Sequence, residues 1–238
     1  MTTFSTSVAM TTSPASSANA ALTQRVTANL TRVRERIAST GRDPASVRIV
    51  AVTKTFGVEF VRVAAALGLA AVGENYVDDL CAKRESTSDV PVAWHYLGAL
   101  QTNKIARALD CADVVCGVSR LKELERIAAR RRDRVLYVQV DFTDAAGRSG
   151  ASMRDVEALV ARARLLELDV RGLMTVAPTD VDLARSAFSA TRDLADGLGL
   201  VERSMGMSDD LEWACESGSS EVRVGRALFG PRGVDGAP

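Results

Sequence analysis

Histidine occurs once in this chain of 238 residues, at His95, and the four cysteines, Cys81, Cys111, Cys116 and Cys215, form no CxxC pair. A structural or catalytic zinc centre needs several soft ligands at close spacing, so no metal site is expected. Thirty basic residues balance thirty acidic ones. That balance leaves no electrostatic footprint for nucleic acid or for an anionic membrane. No apolar run is long enough to span a bilayer. Residues 1–20 hold no Lys or Arg and no continuous apolar centre. They therefore lack the pattern of a secretory signal. This Ser-, Thr- and Ala-rich stretch is expected to be a disordered tail, with Met10 as an alternative start. Scattered cysteines without an export signal predict reduced thiols and a cytoplasmic protein. Aromatic residues make up only 5% of the chain. The core must therefore be aliphatic, and 47% hydrophobic residues are ample to build it.

What is present is alternation. Leu22, Val26, Leu30, Val33 and Ile37 recur at helical spacing, and Gly41 and Pro44 end that helix. Short apolar strands then alternate with amphipathic helices. Strands are expected at 47–54, 69–73, 94–97, 114–116, 135–140, 170–176, near 202–205 and at 221–224. Helices are expected over about 58–67, from near Asn103, and over about 120–131, 152–166 and 180–197. A glycine-containing loop, Asp144 to Gly150, follows the fifth strand. Eight strands alternating with helices over this length predict a single α/β domain, a (β/α)8 barrel of the TIM type, over 21–238. The rival, an open doubly wound sheet, usually has a glycine-rich turn after its first strand, and Lys54-Thr55-Phe56 lacks one.

Function in a barrel sits at the C-terminal ends of the strands. Those ends read Lys54, Glu74-Asn75, His95, Asp141, Met174, Ser204 and Arg223-Val224-Gly225. A lysine at the mouth of an apolar strand is either a snorkelling side chain or a Schiff-base amine whose pKa is lowered by desolvation. Ser204-Met205-Gly206-Met207-Ser208 and Gly225-Arg226 follow the last two strands, where barrels often build a phosphate site. Ser204 and Gly225 are the expected phosphate contacts, and Ser208 the expected N-cap of the next helix. A lysine opposite such a site is the arrangement of a pyridoxal phosphate pocket. Strand alternation points Arg223 inward, towards the ring nitrogen. A permanent cation there disfavours protonation of that nitrogen and weakens the cofactor as an electron sink. The competing role for Arg223 is a salt bridge to Glu74 or to another carboxylate inside the barrel mouth.

The segments AVTKTF, VGENYVDDL, WHYLGALQTNK, RGLMTVAP and SMGMSDDLEWACESGSSEVRVGRALFG resemble, in the same order, those of the pyridoxal-phosphate homeostasis protein family. That family is similar to the N-terminal barrel of alanine racemase, and the resemblance covers about residues 25–230. It implies a single-domain barrel that holds pyridoxal 5'-phosphate as an aldimine of Lys54. It also implies phosphate contacts from Ser204 and the Gly225-Arg226 turn, and Arg223 at the ring nitrogen. Asn75, His95 and Met174 match further pocket positions, with His95 equally a satisfied core histidine. The implied role is intracellular cofactor homeostasis, as a carrier or regulator without catalytic residues, with apoenzymes as partners. A monomer fits a barrel of balanced charge. The alternative is an amino-acid racemase, which needs a second base; alanine racemase takes that tyrosine from another domain of a partner subunit. Two positions depart from the family pattern. Arg226 stands where threonine is common, and Arg203 precedes Ser204 where an apolar residue is usual.

Overall fold

Eight short stretches dominated by aliphatic and β-branched residues become parallel strands that close on themselves. The structure, a computed structural model, describes residues 14–143 and 149–231. The strands are β1 (Arg48–Val52), β2 (Ala71–Glu74), β3 (Ala93–Tyr96), β4 (Val114–Val118), β5 (Val135–Val140), β6 (Asp169–Thr175), β7 (Glu202–Ser204) and β8 (Glu221–Val224). They pair in chain order, and β8 returns to β1 to complete a closed parallel barrel. The helices are α1 (Pro14–Ala38), α2 (Val58–Ala66), α3 (Val77–Ser86), α4 (Ile105–Cys111), α5 (Leu121–Arg130), α6 (Met153–Leu165), α7 (Val181–Gly197), α8 (Leu211–Glu216) and α9 (Arg226–Phe229). The (β/α)8 architecture expected from alternation is the one observed. Among the described residues, no helix is long and apolar enough to cross a membrane.

Alternation along each strand divides the residues between two environments. Ile49, Ala51, Val72, Trp94, Tyr96, Val115, Leu136, Val138, Leu173 and Val222 face outward and form one continuous core with the helices. Val114, Cys116, Tyr137 and Met174 pack inside the barrel. Parallel strands buried on both faces read as unbroken apolar runs, which is why they were visible in the sequence.

Three differences from expectation have physical causes. Helix α1 already begins at Pro14, inside the stretch expected to be a tail, while 1–13 lie outside the described residues. Strand β1 stops at Val52, so Lys54 lies in the turn beyond it. Helix α3 had no counterpart in the sequence reading, because only Val77 and Leu80 of its residues are fully buried and its apolar stripe is thin. The expectation of four reduced thiols is corrected. Cys81 on α3 and Cys111 at the end of α4 form a disulfide, with Cα atoms 5.2 Å apart, and Cys116 and Cys215 are free and buried. Sequence spacing gave no sign of this pair, because the neighbouring helices bring the two residues together. The loop expected over Asp144 to Gly150 falls mostly outside the described residues.

Candidate functional site at the mouth of the barrel

The closure of the barrel assembles the site. Strands β1 and β8 are neighbours, with Val50 opposite Arg223 and Ala51 opposite Val224. Two residues further on, Gly225 lies against Val52: a Cβ on Gly225 would stand 3.1 Å from the Val52 carbonyl oxygen. The turn bearing Lys54 follows directly, and Lys54 is half-buried there. The turn bearing Lys54 and the turn bearing Gly225 therefore leave adjacent strands side by side, with Arg223 on β8 below them.

Arg223 is only 5% exposed. Its guanidinium donates to the Ser204 carbonyl at 2.6 Å, the Ser204 hydroxyl at 2.9 Å and the Thr175 carbonyl at 2.7 Å. Burial pushes the guanidinium below its ordinary value, against the attraction of Glu221 and Asp210. An arginine with three such bonds stays charged. No ion pair joins Arg223 to Glu74, because Glu74 faces outward and pairs with Lys83 at 2.6 Å. Arg203 points away from the barrel, bonding Asp196 and the Gly218 carbonyl, so β7 keeps Ser204 inside.

The Ser204 hydroxyl is fully buried, donating to Glu221 at 2.7 Å while accepting from Arg223. This side chain, expected to contact phosphate, here holds Arg223. It is Ser208, expected to cap the next helix, whose hydroxyl faces the turn after β8 and accepts the Ala227 N–H at 3.1 Å. Asp210 instead takes the Met207 N–H at 2.5 Å. Gly206, at φ +93, lets the loop after β7 pack against Ala214, where a Cβ would stand 2.6 Å away. The Arg226 side chain is exposed and bonds Asp209 across the two loops.

Helix α1 braces both loops from behind. Arg36 makes a two-pronged contact to Glu212 at 2.5 and 2.6 Å and donates to the Ser208 carbonyl at 2.9 Å. Asn29 donates to the Leu228 carbonyl at 3.0 Å. Phe56, Phe60 and Phe229 form a ring cluster, with centroids 4.7 to 5.2 Å apart, that joins the Lys54 turn to α9.

Below the mouth the barrel is filled by charge and aromatic bulk. Arg48 bonds Glu202 at 2.7 Å and Glu221 at 3.1 Å, and Tyr137 bonds Glu202. The buried Glu221 carboxylate is thus offset by Arg48, which reaches it from the exposed start of β1, and such pairing is how a buried charge is tolerated. Burial pushes the Glu202 carboxyl upward, but the bonds from Arg48 and Tyr137 outweigh it and hold the group low. His95, 2% exposed, sits 3.8 Å from Glu221 and 3.9 Å from the Cys116 sulfur. Burial holds its imidazole below the usual value in spite of Glu221. Met174 is also interior, so it and His95 lie beneath the mouth, while half-buried Asn75 stands at the end of β2 beside exposed Tyr76.

Among the described residues no cluster of His, Cys, Asp or Glu could hold a metal. A recess of about 370 Å³ opens beside the end of β5, lined by Asp141, Phe142, Ser152, Met153 and Arg154. A larger one, about 610 Å³, lies at the opposite end of the barrel among Asp110, Arg130 to Arg132 and Asp133. Arg130 pairs there with Asp110, Arg131 with Asp133 and Arg132 with Glu167, and barrel chemistry belongs to the other face.

Residues 23–233 match the family described as alanine racemase, N-terminal domain. A pyridoxal phosphate homeostasis protein of Pseudomonas aeruginosa is 38% identical over 216 residues, covering 87% of this chain and 94% of that protein. One from Escherichia coli is 31% identical over 224 residues, covering 86% and 95%. The structure of PipY from Synechococcus elongatus with PLP bound is similar at TM-score 0.70 and 31% identity, covering 83% of this chain and all of that one. An alanine racemase from Corynebacterium glutamicum, 17% identical with TM-score 0.68, covers 91% of this chain and 63% of the racemase and shares the fold.

Proposed function

Because the chain belongs to the pyridoxal phosphate homeostasis protein family, we propose that it holds pyridoxal 5'-phosphate at the barrel mouth through Lys54 and serves as a carrier or regulator of that cofactor in the cytoplasm. The residues present fit the group. An amine, a buried cation and two glycine-bearing turns joined through a serine hydroxyl converge on one edge. The single observation that carries the reading is the β1–β8 register, with Val50 opposite Arg223 and Ala51 opposite Val224 on the strands that lead into the Lys54 and Gly225 turns.

The cofactor supplies an aldehyde carbon for an amine and an electron-withdrawing ring. Lys54 would hold the group there, its neutral amine being the nucleophile suited to that carbon. Ser208 accepts the Ala227 N–H and so retains its own hydroxyl proton to donate to a phosphate oxygen. Backbone N–H groups of the Gly225-Arg226 turn are the other donors of choice. Arg223 presents a fixed positive charge to the ring nitrogen, and its bonds to Ser204 and Thr175 prevent it from swinging away. A ring nitrogen that stays unprotonated stabilises a carbanion poorly, which favours holding over turnover. The racemase alternative needs a second base above the ring. Tyr96 donates to the Ala99 carbonyl and Tyr137 to Glu202, while Tyr76 stands 63% exposed on the rim. We extend the reading to release of the cofactor to apoenzymes.

Borohydride reduction of protein mixed with pyridoxal phosphate, followed by peptide mapping, tests the reading. The expected adduct is on Lys54, and the coloured protein does not interconvert alanine enantiomers. Racemisation at rates typical of an enzyme would transfer the site to the alternative function.

A further inference from the structure

The backbone turns sharply at Lys54. The Phe56 N–H donates to the Thr53 carbonyl at 3.0 Å, which makes Lys54 and Thr55 the two central residues of a turn. Thr55 has φ +69, in the left-handed region that favours glycine. A β-branched residue there is strained and persists only where its surroundings hold it. Those surroundings are unusual. The Thr53 carbonyl that closes the turn also accepts the Lys83 Nζ at 2.7 Å, and Lys83 continues to Glu74 Oε1 at 2.6 Å. The same Glu74 oxygen accepts the Thr53 hydroxyl at 2.8 Å. Glu74 is fully buried and the Lys83 side chain is 12% exposed. Lys83 reaches the turn from the last turn of α3, because helical side chains lean towards the helix N-terminus, here the mouth end. Glu74 immediately precedes Asn75, so one buried ion pair ties together the residues before both pocket positions.

We propose that Lys83 and Glu74 are positioning residues for Lys54. They lock the Thr53 carbonyl and brace the strained turn, so that the Lys54 amine projects into the mouth at a fixed angle. The inference rests on the reading of Lys54 as the cofactor's amine. Neither residue touches the cofactor; both act through the backbone of the turn.

Full-length wild type, Lys83→Met, Lys83→Arg and the double variant Lys83→Met/Glu74→Met are each titrated with pyridoxal phosphate and followed by visible absorbance, with the titration repeated across pH. The single Met variant leaves Glu74 charged and alone, and it is the one that risks unfolding. Replacing both members of a buried ion pair with apolar residues usually preserves the fold, so the double variant carries the test. A thermal melt establishes that it is folded. The expected result is a loss of affinity on the order of tenfold, the scale seen when supporting contacts behind a ligand-holding side chain are removed. A displaced pH profile of the visible band accompanies it, and Lys83→Arg recovers part of both. Wild-type affinity and pH profile in the folded double variant overturn the proposal. A wild type that develops no band overturns the assignment of Lys54 itself, a different and distinguishable failure.

Discussion

Ser204 and Ser208 stand four positions apart, one at the end of β7 and one in the loop beyond it, and their surroundings separate them. Ser204 ends a strand with its side chain inward, and the nearest partners it meets are Glu221 and Arg223. Ser208 lies beyond the strand and meets the backbone of the next turn. Sequence alone does not give the partners of either serine, because strand alternation stops where β7 stops. Lys54 and Arg223 stand out as candidates in the sequence for a different reason: each is polar within or just after a continuous apolar run, and such residues are rare without a use. His95 yields a prediction at this scale. Its folded value lies below the unfolded value of about 6.5. The contribution to stability is therefore complete above about pH 6.5 and is lost as pH falls towards the folded value, because the unfolded chain takes up the proton first. With no second histidine in the chain, melting temperature between pH 7 and 5 reports this group with little interference. His95→Gln is expected to flatten that slope. A variant slope equal to wild type would show that the imidazole is not held neutral by burial.

Elements outside the barrel hold the loops that the barrel positions. Helix α1 precedes the first strand, yet Arg36 and Asn29 tie it to the loops after β7 and β8. Arg36→Ala is expected to weaken pyridoxal phosphate binding severalfold while the adduct still maps to Lys54; unchanged affinity would reduce α1 to a packing role. The α1 periodicity was plain in the sequence, but nothing in a single helix reveals which loops lie behind it. The disulfide between α3 and α4 was hidden in the same way. It closes a loop with sequence separation 30, which chain-entropy arguments value at about 3–4 kcal/mol. Cys81→Ser is accordingly expected to lower stability under non-oxidising handling no further than reductant lowers the wild type. Without reductant, it is expected to melt several degrees lower. Equal melting temperatures without reductant would show that the two thiols do not form a bond in solution. Helix α3 is the element most worth having in view, since it carries both that disulfide and Lys83.

At the scale of the whole molecule, the closed sheet does what no open sheet would: it makes the first and last strands neighbours. Val50 and Arg223, more than 160 positions apart in the chain, stand opposite one another through that closure, and the turns bearing Lys54 and Gly225 follow from the same two strands. The fold class was readable because eight strands and their helices follow one another with little interruption, and aliphatic runs suffice to mark them. The interior was less readable. Arg48, Glu202 and Glu221 each look like a surface charge at a strand end, and only the barrel's geometry shows that exposed Arg48 pairs with partly buried Glu202 and fully buried Glu221. The central claim is that this closure builds a holding site for pyridoxal phosphate on Lys54. Titration of the purified protein with pyridoxal phosphate, alongside Lys54→Ala, measures it most directly. The account predicts a visible band that saturates with one cofactor per chain in wild type and is absent in Lys54→Ala; a band of equal size in both, or in neither, would contradict it.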